Sequence, residues 1–485
     1  MTASPPTHLR PLLVHGTLIA LLVASAACGS TSAETPTPPD TDVVEDATET
    51  PDAEDTRDID DDDDVDHGAD VDASPDGDVR DPNEPYGVDY DPIDYAAPAP
   101  ACAAYGDLGP YAVGVRTLTV GEQQAAIFYP VAPDAVTGLE RARYDMRDWL
   151  PEADRDKIPD SEVPLFVMWA WEDAPPADGS FPLVLFSHGL AGYRLQSSYY
   201  NSHLASWGMV VATVDHPERW LPAVLTFQLR GDPSDTVQAL EDLLGEVEAR
   251  NADAADPLFG RVDTSRLAIT GHSAGAGTVA RYFLDPRPLT AVLLTGGGPQ
   301  GADYGDRSAL IIAGETDAIV RPSAVRSFFD GLASPAVYIN LAGAGHLAVS
   351  DICLIGRDQG GLVAVAASYG IRSARALQGL ASDGCRTTDT PPEEIWPIFH
   401  HLATAHLLAT FGEADAALAS VEAFSSCLGD SFVEIASNTD PDPDPDPDPD
   451  PDPDPDPDPD PDPDPDPNPD PDPDPDPDPN PDPNN

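Results

Sequence analysis

Residues 266–277 read Arg266-Leu267-Ala268-Ile269-Thr270-Gly271-His272-Ser273-Ala274-Gly275-Ala276-Gly277. The run 266–270 predicts a buried strand, and the residues after Ser273 predict a helix. Between them stands Gly-x-Ser-x-Gly, the pattern of a nucleophile elbow, in which a tight turn lifts a serine hydroxyl out above a sheet. Glycine on both sides keeps side chains off the strand and off the following helix. The pentapeptide alone is common. Its strand–turn–helix setting gives it weight.

The elements around the elbow alternate. Segments 116–120 and 125–129 read as an antiparallel hairpin. A long irregular stretch, 130–180, follows and carries Trp149, Trp169 and Trp171. Strands are predicted at 181–186, 209–214, 291–295, 309–314 and 336–340, the last of them closing the sheet. Helices are predicted near 197–206 and 234–250 and after Ser273, with a final one near 398–411. Such alternation gives an α/β fold with a mainly parallel sheet and helices on both faces. A site would then lie beyond the carboxyl ends of the strands.

The flanks have a different composition. Residues 28–100 are rich in Asp, Thr, Pro and Ala, and 437–485 is a nearly unbroken Pro-Asp repeat. Neither has enough apolar surface to offset chain entropy, so both are predicted to be disordered acidic tails around a folded domain at 101–436. The repeat reads as an extended, solvated spacer; its isolated carboxylates would make only weak cation sites. The formal net charge of −63 lies largely in these tails. An acidic chain with a single lysine, Lys157, does not suit nucleic acid.

Arg10 and the apolar stretch 12–27 read as a signal peptide over 1–27, followed by Cys28. Ser25-Ala26-Ala27-Cys28 resembles a lipobox, which would leave a lipidated Cys28 and a membrane anchor. Cleavage at the nearby small residues, giving a soluble secreted form, is the alternative. Either route predicts an exported protein. Four cysteines then remain: Cys102, Cys353, Cys385 and Cys427. An even number in an exported chain favours disulfides, and three pairings exist. Cys353–Cys385, with Cys102–Cys427 joining the domain's ends, is favoured. The cysteines lack the close pairs of a zinc site, so no metal is expected.

A serine hydroxyl needs a base, and the base needs an anion to hold its tautomer. Asp317 follows the 309–314 strand, and His346 sits in the glycine-rich turn Gly343-Ala344-Gly345-His346. The order Ser273, Asp317, His346 fits the chain order of this type of elbow. Glu315 is the rival acid. His272 is expected to pack or hydrogen-bond beneath the elbow, and His400, His401 and His406 to be structural. The backbone N–H groups of Ala274 and Leu190 are the candidate oxyanion donors, since Leu190 follows a strand end in Ser187-His188-Gly189-Leu190. Tyr193, Trp169, Trp171 and Trp220 are candidates for lining an acyl pocket, with core packing as their alternative.

Ser187-His188-Gly189-Leu190-Ala191-Gly192-Tyr193-Arg194, the segment 204–212 and the elbow together resemble the α/β-hydrolase superfamily. The chain is most similar to the dienelactone-hydrolase-like proteins and the platelet-activating-factor acetylhydrolases. The resemblance covers nearly all of 101–415. It implies an α/β-hydrolase fold, Ser273 as nucleophile, His346 as base, and Leu190 and Ala274 as oxyanion donors. It also implies a small-molecule or lipid ester as substrate, with no cofactor. The acetylhydrolase acid position here reads Thr295-Gly296-Gly297-Gly298-Pro299, without a carboxylate. Asp317 matches instead the later position of dienelactone hydrolases, bacterial cutinases and polyester hydrolases. Dienelactone hydrolases carry a cysteine nucleophile, and this chain has serine. Gly192-Tyr193 with Gln196-Ser197-Ser198 also resembles polyester hydrolases. The expectation is an exported serine esterase for small or short-acyl esters. A polyester or cutin-type hydrolase or lipase, a peptidase, and a non-catalytic surface binding protein on the same scaffold are the rivals.

Overall fold

The computed structural model describes residues 88–229 and 231–439. Cys28, the segment 1–27, most of 28–100 and nearly all of the Pro-Asp repeat lie outside the described residues. Thirteen strands are described: β1 (Val88–Tyr90), β2 (Ala112–Val120), β3 (Gln123–Val131), β4 (Arg143–Asp145), β5 (Pro164–Val167), β6 (Trp171–Glu172), β7 (Phe181–Ser187), β8 (Val210–Val214), β9 (Val262–His272), β10 (Thr290–Leu294), β11 (Ala309–Gly314), β12 (Ala336–Leu341) and β13 (Phe432–Ser437). The main helices are α1 (Ser198–Ser206), α2 (Leu221–Leu225), α3 (Pro233–Ala252), α4 (Ala274–Tyr282), α5 (Pro322–Asp330), α6 (Leu362–Ser368), α7 (Gln378–Ser382), α8 (Pro392–Thr410) and α9 (Val421–Leu428).

Ten strands form one sheet in the order β13-β12-β11-β10-β9-β7-β8-β3-β2-β6. From β12 to β8 every neighbouring pair is parallel. β2 and β3 form the antiparallel hairpin that their alternating sequence predicted, and β3 also pairs antiparallel with β8. This is the α/β-hydrolase fold. Residues alternate between the two faces of the central strands. Val184, Phe186, Leu294 and Ile312 face a core built with Tyr200 and Phe399. Leu183, Leu185, Leu293 and Ile311 face another, built with Leu243 and Val279. Strands buried on both sides read as continuous apolar runs, which is why their positions were visible in the sequence.

Register brings the strand ends level. Ser187 pairs with Gly271, and Leu294 with His272. The loops after β7 and β9 and the chain after β10 therefore emerge side by side.

Several expected boundaries shift. The strand 336–340 does not close the sheet, because β13 adds antiparallel to β12. The helix expected at 398–411 begins at Pro392 and carries Pro397 inside it, and α9 follows. Pro397 is the sixth residue of that helix, and the Glu393 carbonyl that its missing N–H leaves free accepts the Ala97 N–H at 3.2 Å instead. Secondary structure is described before 101 as well. β1 pairs with β5, and Asp91 caps a single turn at Pro92–Tyr95 while holding Arg141. The stretch 130–180 is not wholly irregular, since it contributes β4, β5 and β6.

Cys102 pairs with Cys427 and Cys353 with Cys385. The first bond spans 325 residues and ties the two ends of the domain together. The second closes a loop with a sequence separation of 32. By loop-closure entropy, Cys353→Ser with Cys385→Ser is expected to lower unfolding free energy by about 3–4 kcal/mol. Denaturant titration of that double variant beside the parent checks this; an unchanged midpoint would contradict it. Among the described residues no helix is long and apolar enough to cross a membrane.

Candidate active site

Ser273 occupies the turn between β9 and α4 with φ 57° and ψ −121°. A positive φ is costly for a residue with a Cβ, and it persists here because both flanks are fixed. A Cβ on Gly275 would stand 2.0 Å from the Ser187 carbonyl oxygen, so the elbow closes only with glycine there. Ala191 at φ 56° and Thr295 at φ 44° are also left-handed. They sit in the chain after β7 and directly after β10, on either side of the elbow. Strain of this kind concentrates at functional sites.

The three side chains that the sequence places far apart meet here. His346 Nε2 lies 2.9 Å from Ser273 Oγ. His346 Nδ1 lies 2.8 Å from Asp317 Oδ2. Asp317 Oδ1 accepts the N–H groups of Ile319 at 2.8 Å and Val320 at 2.7 Å, which fixes the plane of the carboxylate. All three residues are buried. Glu315 is exposed, and its Oε2 accepts the Gly343 N–H at 2.8 Å, away from the imidazole. Chemically, such a line can draw a proton from the hydroxyl onto Nε2 while the carboxylate holds Nδ1–H.

The loop after β7 rests against the serine. A Cβ on Gly189 would come within 3.1 Å of Ser273 Cβ. The N–H groups of Leu190 and Ala274 take no acceptor among the described residues. Ala274 N–H is one of the free donors that every helix start leaves. Both residues are only partly buried, so a ligand oxygen can reach them.

Three residues to which the sequence assigned no such role hold the loops. The partly buried guanidinium of Arg219 donates to the His188 carbonyl at 2.7 Å and to Ser187 Oγ and Thr278 Oγ1, each at 2.8 Å. Burial lowers its pKa to about 10. Asp383, beside the Cys353–Cys385 bond, accepts the His346 N–H at 2.7 Å and the Ala318 N–H at 3.2 Å, tying the histidine loop to the aspartate loop. Gln196 hydrogen-bonds His272 at 3.0 Å. Their roles depend on partners distant in sequence; the only local signal was Asp383 next to Cys385.

An apolar cavity opens over Ser273 and His346, lined among others by Leu150, Leu190, Leu221, Val363 and Leu377. These come from the segment before β5, the loop after β7, α2, α6 and the turns before α7, and Leu150, Leu190, Leu221 and Leu377 belong to a small cluster of their own. Of the four aromatic candidates, for each of which core packing was the alternative, Tyr193 lines the cavity and Trp169, Trp171 and Trp220 do not. The Tyr193 ring packs on Trp149 with centroids 4.4 Å apart. Trp169 and Trp171 pack against each other, and Trp220 precedes α2 on a different cleft. The only arginine in the lining, Arg147, is held by Asp145 and Asp160. His400 stacks on His203 and His406 bonds Thr290, so both are structural, as expected.

Residues 162–254 match the family model described as platelet-activating factor acetylhydrolase, isoform II. The chain is 30% identical over 145 residues to platelet-activating factor acetylhydrolase of Cavia porcellus, covering 22% of this chain and 33% of that one. It is 26% identical over 179 residues to cutinase est2 of Thermobifida alba, covering 36% of this chain and 55% of that one. It is 28% identical over 178 residues to bis(hydroxyethyl) terephthalate hydrolase of Streptomyces coelicolor, covering 35% of this chain and 52% of that one. The chain thus spans between a third and just over half of the length of these curated relatives.

Proposed function

Starting from a chain with the α/β-hydrolase fold, we propose that this protein is an exported serine carboxylic-ester hydrolase. The observation that carries the reading is the continuous hydrogen-bonded line Asp317–His346–Ser273 at the floor of an apolar cavity. Ser273 Oγ attacks the ester carbonyl carbon as His346 Nε2 takes its proton, and Asp317 stabilises the imidazolium. The Leu190 and Ala274 N–H groups receive the oxyanion, each worth about 3 kcal/mol in the transition state. The tetrahedral adduct collapses, the C–O bond to the alcohol breaks, and His346 returns the proton to the leaving alkoxide. Water, deprotonated by His346, then releases the acid and restores the serine.

The apolar lining favours a neutral ester, because its one guanidinium is already paired; a small or short acyl group is the proposed substrate class. The relatives named for acetylhydrolase, cutinase and terephthalate-ester hydrolase activity support ester chemistry in general. Two disulfides support an oxidising compartment and hence export. Cys28 is the proposed lipid anchor. A panel of p-nitrophenyl acetate, butyrate and palmitate, bis(hydroxyethyl) terephthalate and an acyl p-nitroanilide tests the substrate class. Turnover highest on the short esters and absent on the anilide is expected. Preference for palmitate, the terephthalate or the anilide would overturn it.

A further inference from the structure

The geometry points to His272 and Gln196 as positioning residues: one buried hydrogen-bonded strut that sets the spacing of the oxyanion loop, the elbow and the histidine loop. Each link is defined. His272 Nε2 lies 2.9 Å from the His346 backbone carbonyl. A carbonyl only accepts, so Nε2 carries the proton. In a neutral ring Nδ1 is then bare, and it accepts from Gln196 Nε2 at 3.0 Å. That orientation leaves Gln196 Oε1 to accept the Gly189 N–H at 3.3 Å. One arrangement of protons and one amide orientation satisfies all three links.

The backbone of Gln196 adds a fourth link, its carbonyl accepting the Asp351 N–H at 3.0 Å from the far side of the histidine loop. The site is shaped around the amide. A Cβ on Gly192 would stand 2.0 Å from Gln196 Oε1. Gln196 and His272 are almost fully buried. Burial first, and the neighbouring His346 second, push the His272 pKa down to about 3, so the ring stays neutral. Neutrality matters, because the two imidazoles lie 4.9 Å apart and His346 must accept a proton during the reaction. A charged ring at 272 would oppose it.

The strut reaches the reaction only through other residues. The His346 ring, the Ser273 hydroxyl and the Leu190 N–H belong to loops from three different strands. Without cross-links they drift independently, and misplacement on the 1 Å scale costs rate. Its kinetic readout rests on the ester-hydrolase reading above; its spectroscopic readout does not.

The test uses the full chain labelled with 15N-histidine. One histidine, identified by its loss in His272→Gln, is expected to show a protonated Nε2 and a bare Nδ1 across the range in which exposed histidines titrate. A protonated Nδ1, or titration in that range, would overturn the inference. Kinetically, His272→Leu and Gln196→Met are each expected to lower kcat about ten- to a hundredfold with KM nearly unchanged. The double variant should lose no more than the worse single, because one strut is broken once. His272→Gln, which places an amide N–H near the Nε2–H position, should recover most of the loss. Full kcat in His272→Leu, multiplicative losses in the double, or no recovery in His272→Gln would each overturn the strut. If the Leu or Met variants fail to melt cooperatively, the tautomer and His272→Gln decide. If the parent shows no Ser273-dependent turnover, the ester-hydrolase reading fails instead, and the tautomer alone judges the strut.

Discussion

Ser273→Ala is expected to lower kcat by about six orders of magnitude, to a residue of activity owed to oxyanion donors and binding. The reason is local. Ser273 Oγ is the hydroxyl that touches His346 Nε2, at 2.9 Å. Ser273 sits at φ 57°, and alanine meets the same strain there, so the substitution neither relieves nor adds backbone cost. Stability should therefore change by less than about 1 kcal/mol. Steady-state turnover of p-nitrophenyl butyrate beside a thermal melt separates the two effects. Equal rates in parent and variant would remove the catalytic reading and leave the binding-protein alternative.

Asp317→Asn is expected to lower kcat by about four orders of magnitude, with the fold intact. Asp317 Oδ1 is held by the Ile319 and Val320 N–H groups. With asparagine, the side-chain oxygen keeps those donors, and the NH2 turns towards His346 Nδ1. That nitrogen must then accept, so the proton moves to Nε2 and faces Ser273. The ring no longer serves as a base, whereas in the parent Nδ1–H points to Asp317 Oδ2 across 2.8 Å. Glu315→Gln is the control. Its carboxylate caps the Gly343 N–H, so a change in kcat of less than about threefold is expected. A large loss at Glu315 with none at Asp317 would reassign the acid.

How much of this was legible follows from the physics of each part. The central strands were readable because both faces are buried, so β7, β8, β9, β11 and β12 appear as apolar runs. The loops after them could be placed because a parallel sheet delivers its strand ends to one side. Short pieces at the margins were not readable. β1 and β5 are only a few residues long and gain their order from pairing with each other. β13 joins the sheet only because α8 and α9 return the chain to β12. Whether Trp169, Trp171 and Trp220 line the pocket or pack in the core was not readable, because bulk and aromaticity do not say which side of a layer a residue faces.

The same limit applies to the polar network. His272 was expected beneath the elbow, but its partners were not nameable. Gln196 acts on the His272 ring and Asp383 on the His346 backbone N–H, partners that sequence distance hides. Arg219 carried no signal in the sequence, yet it bridges the loop after β7 to α4. Sequence marks the groups that carry chemistry by their type and order. It marks the groups that hold them far less, because almost any donor or acceptor of the right reach serves.

The most direct measurement is of the covalent intermediate. Rapid mixing of the chain with p-nitrophenyl acetate should release one p-nitrophenolate per protein in a burst, followed by a slower steady rate. Acid quenching at the end of the burst, then peptide mass analysis, should find the acetyl group on Ser273. The His346→Ala variant should show neither burst nor acetyl group. Acetylation confined to another residue, or ester turnover with no acyl group at Ser273 under conditions that trap the burst, would contradict the account.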